Sequence, residues 1–136
     1  MRMISLVFLC LATLLPLTAK AQRPSLYIFD VLNRPSYRAA YERMLRNERG
    51  LPRWMATAQA ATRATTTPGV TRRVEGTNRE IFSFCQAHNC AGHTVVVMFT
   101  EFGESAKGLL SDDNHVSFFG NPSAAESRTL LSALAD

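Results

Sequence analysis

The chain has 136 residues, 46% of them apolar, which is enough for one domain with a hydrophobic core and too few for two. Its 15 Lys and Arg against 11 Asp and Glu give a formal charge of +4, yet the arginines are scattered and no aromatic-basic module accompanies them, so nucleic acid is not indicated as a partner. Arg72-Arg73 and the group Arg43, Arg46, Arg49 and Arg53 read as solvated faces rather than phosphate sites.

The first element reads as a leader. Arg2 supplies a positive start, the run from Ile4 to Leu15 is apolar except for Ser5, Cys10 and Thr13, and Ala19-Lys20-Ala21 is a small-x-small cleavage signal before Gln22. The run falls short of the roughly 18 to 20 apolar residues that a membrane span needs, and Pro16 follows it. Residues 1–21 are therefore expected to be a secretory signal peptide and residues 22–136 the mature domain, with no membrane attachment after cleavage. Removal of Arg2 and Lys20 leaves 13 basic against 11 acidic side chains, about +2. Cys10 leaves with the leader, so two cysteines remain, Cys85 and Cys90, and export places them where a pair of thiols is expected to oxidise.

In the mature chain, Leu26 to Leu32 is a short apolar stretch that reads either as a helix or as a docking segment. Asn33, Pro35 and Ser36 signal a helix start, and Tyr37, Ala40, Tyr41, Met44 and Leu45 then form one apolar stripe, with Gly50 expected to end the helix. Trp54, the chain's single tryptophan, is expected to anchor the core. Residues 56–69 are rich in Ala and Thr and close on Pro68-Gly69, the mark of a surface connection that has room for some strand. Strands are expected at Val70 to Glu75, Glu80 to Phe84, Thr94 to Phe102, Lys107 to Ser111 and His115 to Phe119. Turns at Gly76-Thr77-Asn78, Gly103-Glu104-Ser105 and Asp112-Asp113-Asn114 separate them, and short links between successive strands imply an antiparallel meander. Phe82, Phe84, Val95, Val97 and Phe99 are core candidates. Ser123 and Glu126 have capping-box spacing ahead of Leu130, Leu131 and Leu134, which are expected to share one face of a final helix. The fold class is α+β: an antiparallel sheet of about five strands with helices packed on one face.

Between two of the strands lies Cys85-Gln86-Ala87-His88-Asn89-Cys90. A bridge between the cysteines closes a small ring that can project rigidly from the sheet and present His88, whose imidazole both donates and accepts hydrogen bonds and suits an encounter with carboxylates. Other chemistries compete. A thiol oxidoreductase usually spaces its cysteines by two residues at a helix start, whereas here four residues separate them between strands. Zinc would suit Cys85, His88, Cys90 and His93, but an oxidising compartment consumes the thiols. A hydrolase finds no nucleophile, base and orienter set, so no catalytic residue is assigned and no cofactor or metal is expected. A secreted domain with a purely structural disulfide also remains open. His93 and His115 are assigned no role.

Cys85-x-x-His88-x-Cys90, with Leu51-Pro52-x-Trp54 before it and Val95 to Glu101 and Gly108-Leu109-Leu110-Ser111 after it, resembles the inhibitor of vertebrate lysozyme (Ivy) family of Gram-negative bacteria, over about Tyr37 to Ser111. The resemblance implies a periplasmic protein that is not an enzyme and inhibits c-type lysozyme. Its disulfide-closed loop would protrude from the sheet into the active-site cleft, with His88 on the catalytic carboxylates and Cys85 and Cys90 as the bridge. It leaves open whether the partner is a host lysozyme or an endogenous wall-lytic enzyme, and whether the protein forms a homodimer. Ala87 stands where proline is common in the family, which leaves the loop less stiff. Asn89 stands where aspartate is common, which removes a charge favourable toward a basic enzyme.

Overall fold

The computed structural model describes residues 26–58 and 64–136, so the expected leader lies outside the described residues. Three helices come first, α1 (Ile28–Val31), α2 (Pro35–Leu45) and α3 (Arg53–Ala58). Six strands follow, β1 (Ala64–Thr66), β2 (Val70–Val74), β3 (Thr77–Gln86), β4 (His93–Thr100), β5 (Ala106–Asp112) and β6 (His115–Phe119), and then α4 (Ala124–Ala135). The strands form one antiparallel sheet in the order β1-β3-β4-β5-β6. β2 also pairs with β3, along Thr77 to Ile81, while β1 pairs with Phe84 to Gln86, so the two short strands follow one another along one edge of β3.

The helices do not share one face, as the sequence had suggested. Val95, Val97 and Phe99 of β4 join Phe82, Phe84, Leu110 and Phe119 in a core with Ile28, Val31, Tyr37, Ala40, Tyr41, Met44 and Met55 from α1, α2 and α3. Val96 and Met98 belong to a second core with Val74, Ile81, Leu109 and Leu130, the last from α4. Side chains alternate across a strand, so the uninterrupted apolar run Val95 to Phe99, at most 1% exposed at each position, requires cover on both faces. The arrangement is helices, sheet, helix.

Local signals set most element ends. Pro35 opens α2 at a position where a missing N–H leaves no helical bond unmade. The stripe Tyr37, Ala40, Tyr41, Met44 is buried. The helix stops at Leu45, short of Gly50, which adopts φ +76° farther along the chain. In α4 the capping box forms in both directions, Glu126 N donating to Ser123 Oγ at 3.2 Å and Ser123 N donating to Glu126 Oε2 at 2.9 Å. Leu130 is fully buried and Leu134 packs beside it, but Leu131 points away and is 44% exposed. β4 ends at Thr100 rather than Phe102, because Thr100 N donates to Ser105 O and Thr100 Oγ1 accepts from Ser105 N, closing a tight turn through a 3-10 segment at Glu101–Gly103. Gly103 is required there: its φ is +70°, and a β-carbon would lie 2.5 Å from the Tyr37 ring.

Candidate functional site

The segment singled out from the sequence connects β3 to β4 at one end of the sheet. Cys85, near the end of β3, is held from both sides, opposite Thr65 of β1 and Thr94 of β4, and is buried. Its sulfur is bonded to that of Cys90, with the two α-carbons 4.9 Å apart. The bridge therefore ties an exposed loop residue to a fixed point of the sheet. Neither sulfur is available as a thiolate, which removes the Cys85, His88, Cys90, His93 zinc arrangement. Neither cysteine stands at a helix start, where a thioredoxin-like pair would have to lie.

Backbone bonds shape the ring. Asn89 N donates to Gln86 O at 2.9 Å, and Asn89 O accepts from Gly92 N at 3.3 Å and from His93 N at 3.1 Å, forming two successive turns. Thr94 Oγ1 donates to Cys90 O at 2.7 Å. His88 adopts φ +67°, a left-handed conformation in which histidine is among the more tolerant non-glycine residues. Gln86 and Ala87 are half-buried, and His88, Asn89 and Cys90 are exposed. The His88 imidazole has no hydrogen-bond or ion-pair partner among the described residues, so both ring nitrogens are free to meet another molecule.

Beneath the ring is a cluster that the sequence did not reveal. His93, the first residue of β4, stands in register with Asp112, the last of β5, and its Nδ1 lies 2.5 Å from Asp112 Oδ1, a close polar contact without the alignment of a hydrogen bond. Trp54 of α3 packs on the His93 ring with centroids 5.9 Å apart, and its Nε1 donates a long bond, 3.5 Å, to the same carboxylate oxygen. Trp54 also meets Phe84 edge-on at 6.2 Å, which makes it a half-buried bracket between the core and the base of the ring. His93 thus acts as a buttress, and no local pattern foretold it, because Trp54, His93 and Asp112 come from three distant parts of the chain. The β5–β6 turn adds one more tie, Asp113 N donating to Gly92 O at 2.9 Å.

No family model matches this chain. A segment of 82 residues, 60% of the chain, is 26% identical to a Pseudomonas aeruginosa protein named "Inhibitor of vertebrate lysozyme". The match spans about half of that relative's length, 51%.

Proposed function

We propose that the chain is a member of the inhibitor of vertebrate lysozyme family, and that it acts as an exported, non-enzymatic inhibitor of c-type lysozyme that protects the cell wall from the periplasm. The observation that carries this reading is His88: an exposed imidazole without a partner among the described residues, on a β3–β4 ring closed by the Cys85–Cys90 bridge. The similarity to the Pseudomonas aeruginosa inhibitor supports it independently of the geometry. On this reading residues 22–136 form the mature inhibitor domain, the ring from Cys85 to Cys90 occupies the cleft, and the target is a host lysozyme or an endogenous wall-lytic enzyme.

The chemistry of the cleft explains why a histidine suits the position. A retaining glycosidase holds its two carboxyl groups about 5 to 5.5 Å apart, one protonated and one ionised. An imidazole can donate to the ionised group through one nitrogen and accept from the protonated group through the other. His88 would thereby satisfy both catalytic groups while the ring excludes the sugar chain. Prior closure of the ring reduces the ordering entropy lost on binding.

The test is an inhibition constant for purified residues 22–136 against a c-type lysozyme, for the wild-type sequence and for His88→Ala. Inhibition competitive with wall substrate is expected, and a polar contact at the centre of an interface commonly contributes about 2 kcal/mol or more, so His88→Ala is expected to weaken it roughly 30-fold. Circular dichroism should be unchanged. Full potency in His88→Ala would refute the plug mechanism, and absence of inhibition by the wild-type sequence would refute the functional reading itself.

A further inference from the structure

The ring carries no charged side chain besides the titratable His88: from Gln86 to Gly92 there is no Asp, Glu, Lys or Arg. A carboxylate nevertheless stands at its margin, contributed by the adjoining hairpin. The β5–β6 turn consists of Asp113 and Asn114, with φ of +47° and +67°, between the paired residues Asp112 and His115. Two successive left-handed residues are the mark of a two-residue hairpin turn whose twist matches its strands. The turn is fastened to the ring by the bond from Asp113 N to Gly92 O. Asn89 Oδ1 and Asp113 Oδ1 crowd the same side of Gly92, 3.3 Å and 3.5 Å from where a β-carbon would sit, so amide and carboxylate are neighbours.

The two aspartates of the hairpin have different surroundings. Asp112 faces inward to Trp54 and His93 and its side chain is 35% exposed. Asp113 lies 3.8 Å from His93 Nε2 and its side chain is 85% exposed. The first is a buttress, and the second presents its charge to solvent beside the ring.

We infer that Asp113 is a second element of the recognition surface, a carboxylate that meets a cationic side chain at the rim of the target's cleft and supplies the negative charge that Asn89 does not. The inference rests on the ring being the cleft-occupying element. The mature chain carries a small positive formal charge, so attraction toward a basic enzyme has to come from local carboxylates and not from the net charge. A rim charge acts mainly on the rate of encounter, and its effect fades as salt screens it.

The experiment measures association and dissociation rates of residues 22–136 with a basic c-type lysozyme, at about 20 mM and about 500 mM salt, where the screening length falls from roughly 20 Å to a few Å. Asp113→Asn is the variant, since asparagine accepts a positive φ and the turn is preserved. Glu104→Gln is the control, removing the same charge from an exposed side chain in the β4–β5 turn at the opposite end of the sheet. Asp113→Asn is expected to slow association about two- to five-fold at low salt, as for one screened surface pair, with little change at high salt or in dissociation, while Glu104→Gln matches the wild type. Wild-type association by Asp113→Asn at low salt, or equal slowing by Glu104→Gln, overturns the inference and leaves the inhibitor reading standing. A wild-type protein that does not bind lysozyme overturns both.

Discussion

Replacing both Cys85 and Cys90 by serine separates the two tasks of the bridge, holding the domain together and stiffening the ring. The closed loop has six residues, for which loop entropy gives about 2 kcal/mol, against a typical domain stability of about 5 to 15 kcal/mol. The sites add little to this. Cys90 is exposed, and Cys85 Sγ lies 3.6 Å from Thr65 O, an acceptor that a buried serine hydroxyl can use. The variant is therefore expected to fold and to melt roughly 6 to 12 °C lower. The ring is not released altogether, because the bonds from Asn89 N to Gln86 O, from His93 N to Asn89 O, from Thr94 Oγ1 to Cys90 O and from Asp113 N to Gly92 O do not depend on sulfur. Freedom equivalent to about one or two residues returns, about 1 to 2 kcal/mol, so the inhibition constant is expected to rise about 5- to 30-fold. Thermal melts by circular dichroism without reductant and lysozyme inhibition by the same preparation give both numbers. A variant unfolded at room temperature would show that the bridge is structural, and one with undiminished potency would show that stiffness contributes nothing to inhibition.

Two further outcomes test the packing. Leu130→Ala, at a fully buried position beneath α4, should lower unfolding free energy by about 2 to 5 kcal/mol, whereas Leu131→Ala, 44% exposed, should stay within about 0.5 kcal/mol; equal effects in urea titrations would contradict the orientation of α4. Tyr37 is buried and donates its hydroxyl to Glu80, and burial, then the bond to that carboxylate and its charge, raise its pKa from 10.0 to about 12. Because the folded state holds this proton more tightly, the contribution is complete below pH 10 and is lost as pH rises through 12. Urea titrations across that window should show the advantage of the wild-type sequence over Tyr37→Phe shrinking by roughly 1 to 3 kcal/mol; parallel curves would remove the linkage.

The features legible in the sequence are those encoded within a few neighbouring residues. The spacing of Tyr37, Ala40, Tyr41 and Met44 gave the buried stripe of α2, Ser123 and Glu126 marked the start of α4, and His115 to Phe119 was bounded correctly as β6. The pairing of Cys85 with Cys90 was expected from the export that the leader pattern implies and from proximity in the chain, and it is the bond observed. Tertiary structure decided the rest. The sequence did not show that α4 would take the face opposite the other helices, against the expectation of helices on one face, since an amphipathic helix specifies that it must bury a stripe and not against what; packing on Val96, Met98 and Leu109 turned Leu130 inward and left Leu131 outside. Nor did it show that Trp54 and Asp112 meet His93, or that Asp113 stands beside Asn89. Those neighbours are joined by strand register, which brings His93 opposite Asp112 across β4 and β5, and register is fixed by the combined burial of both sheet faces, a property that no single segment contains.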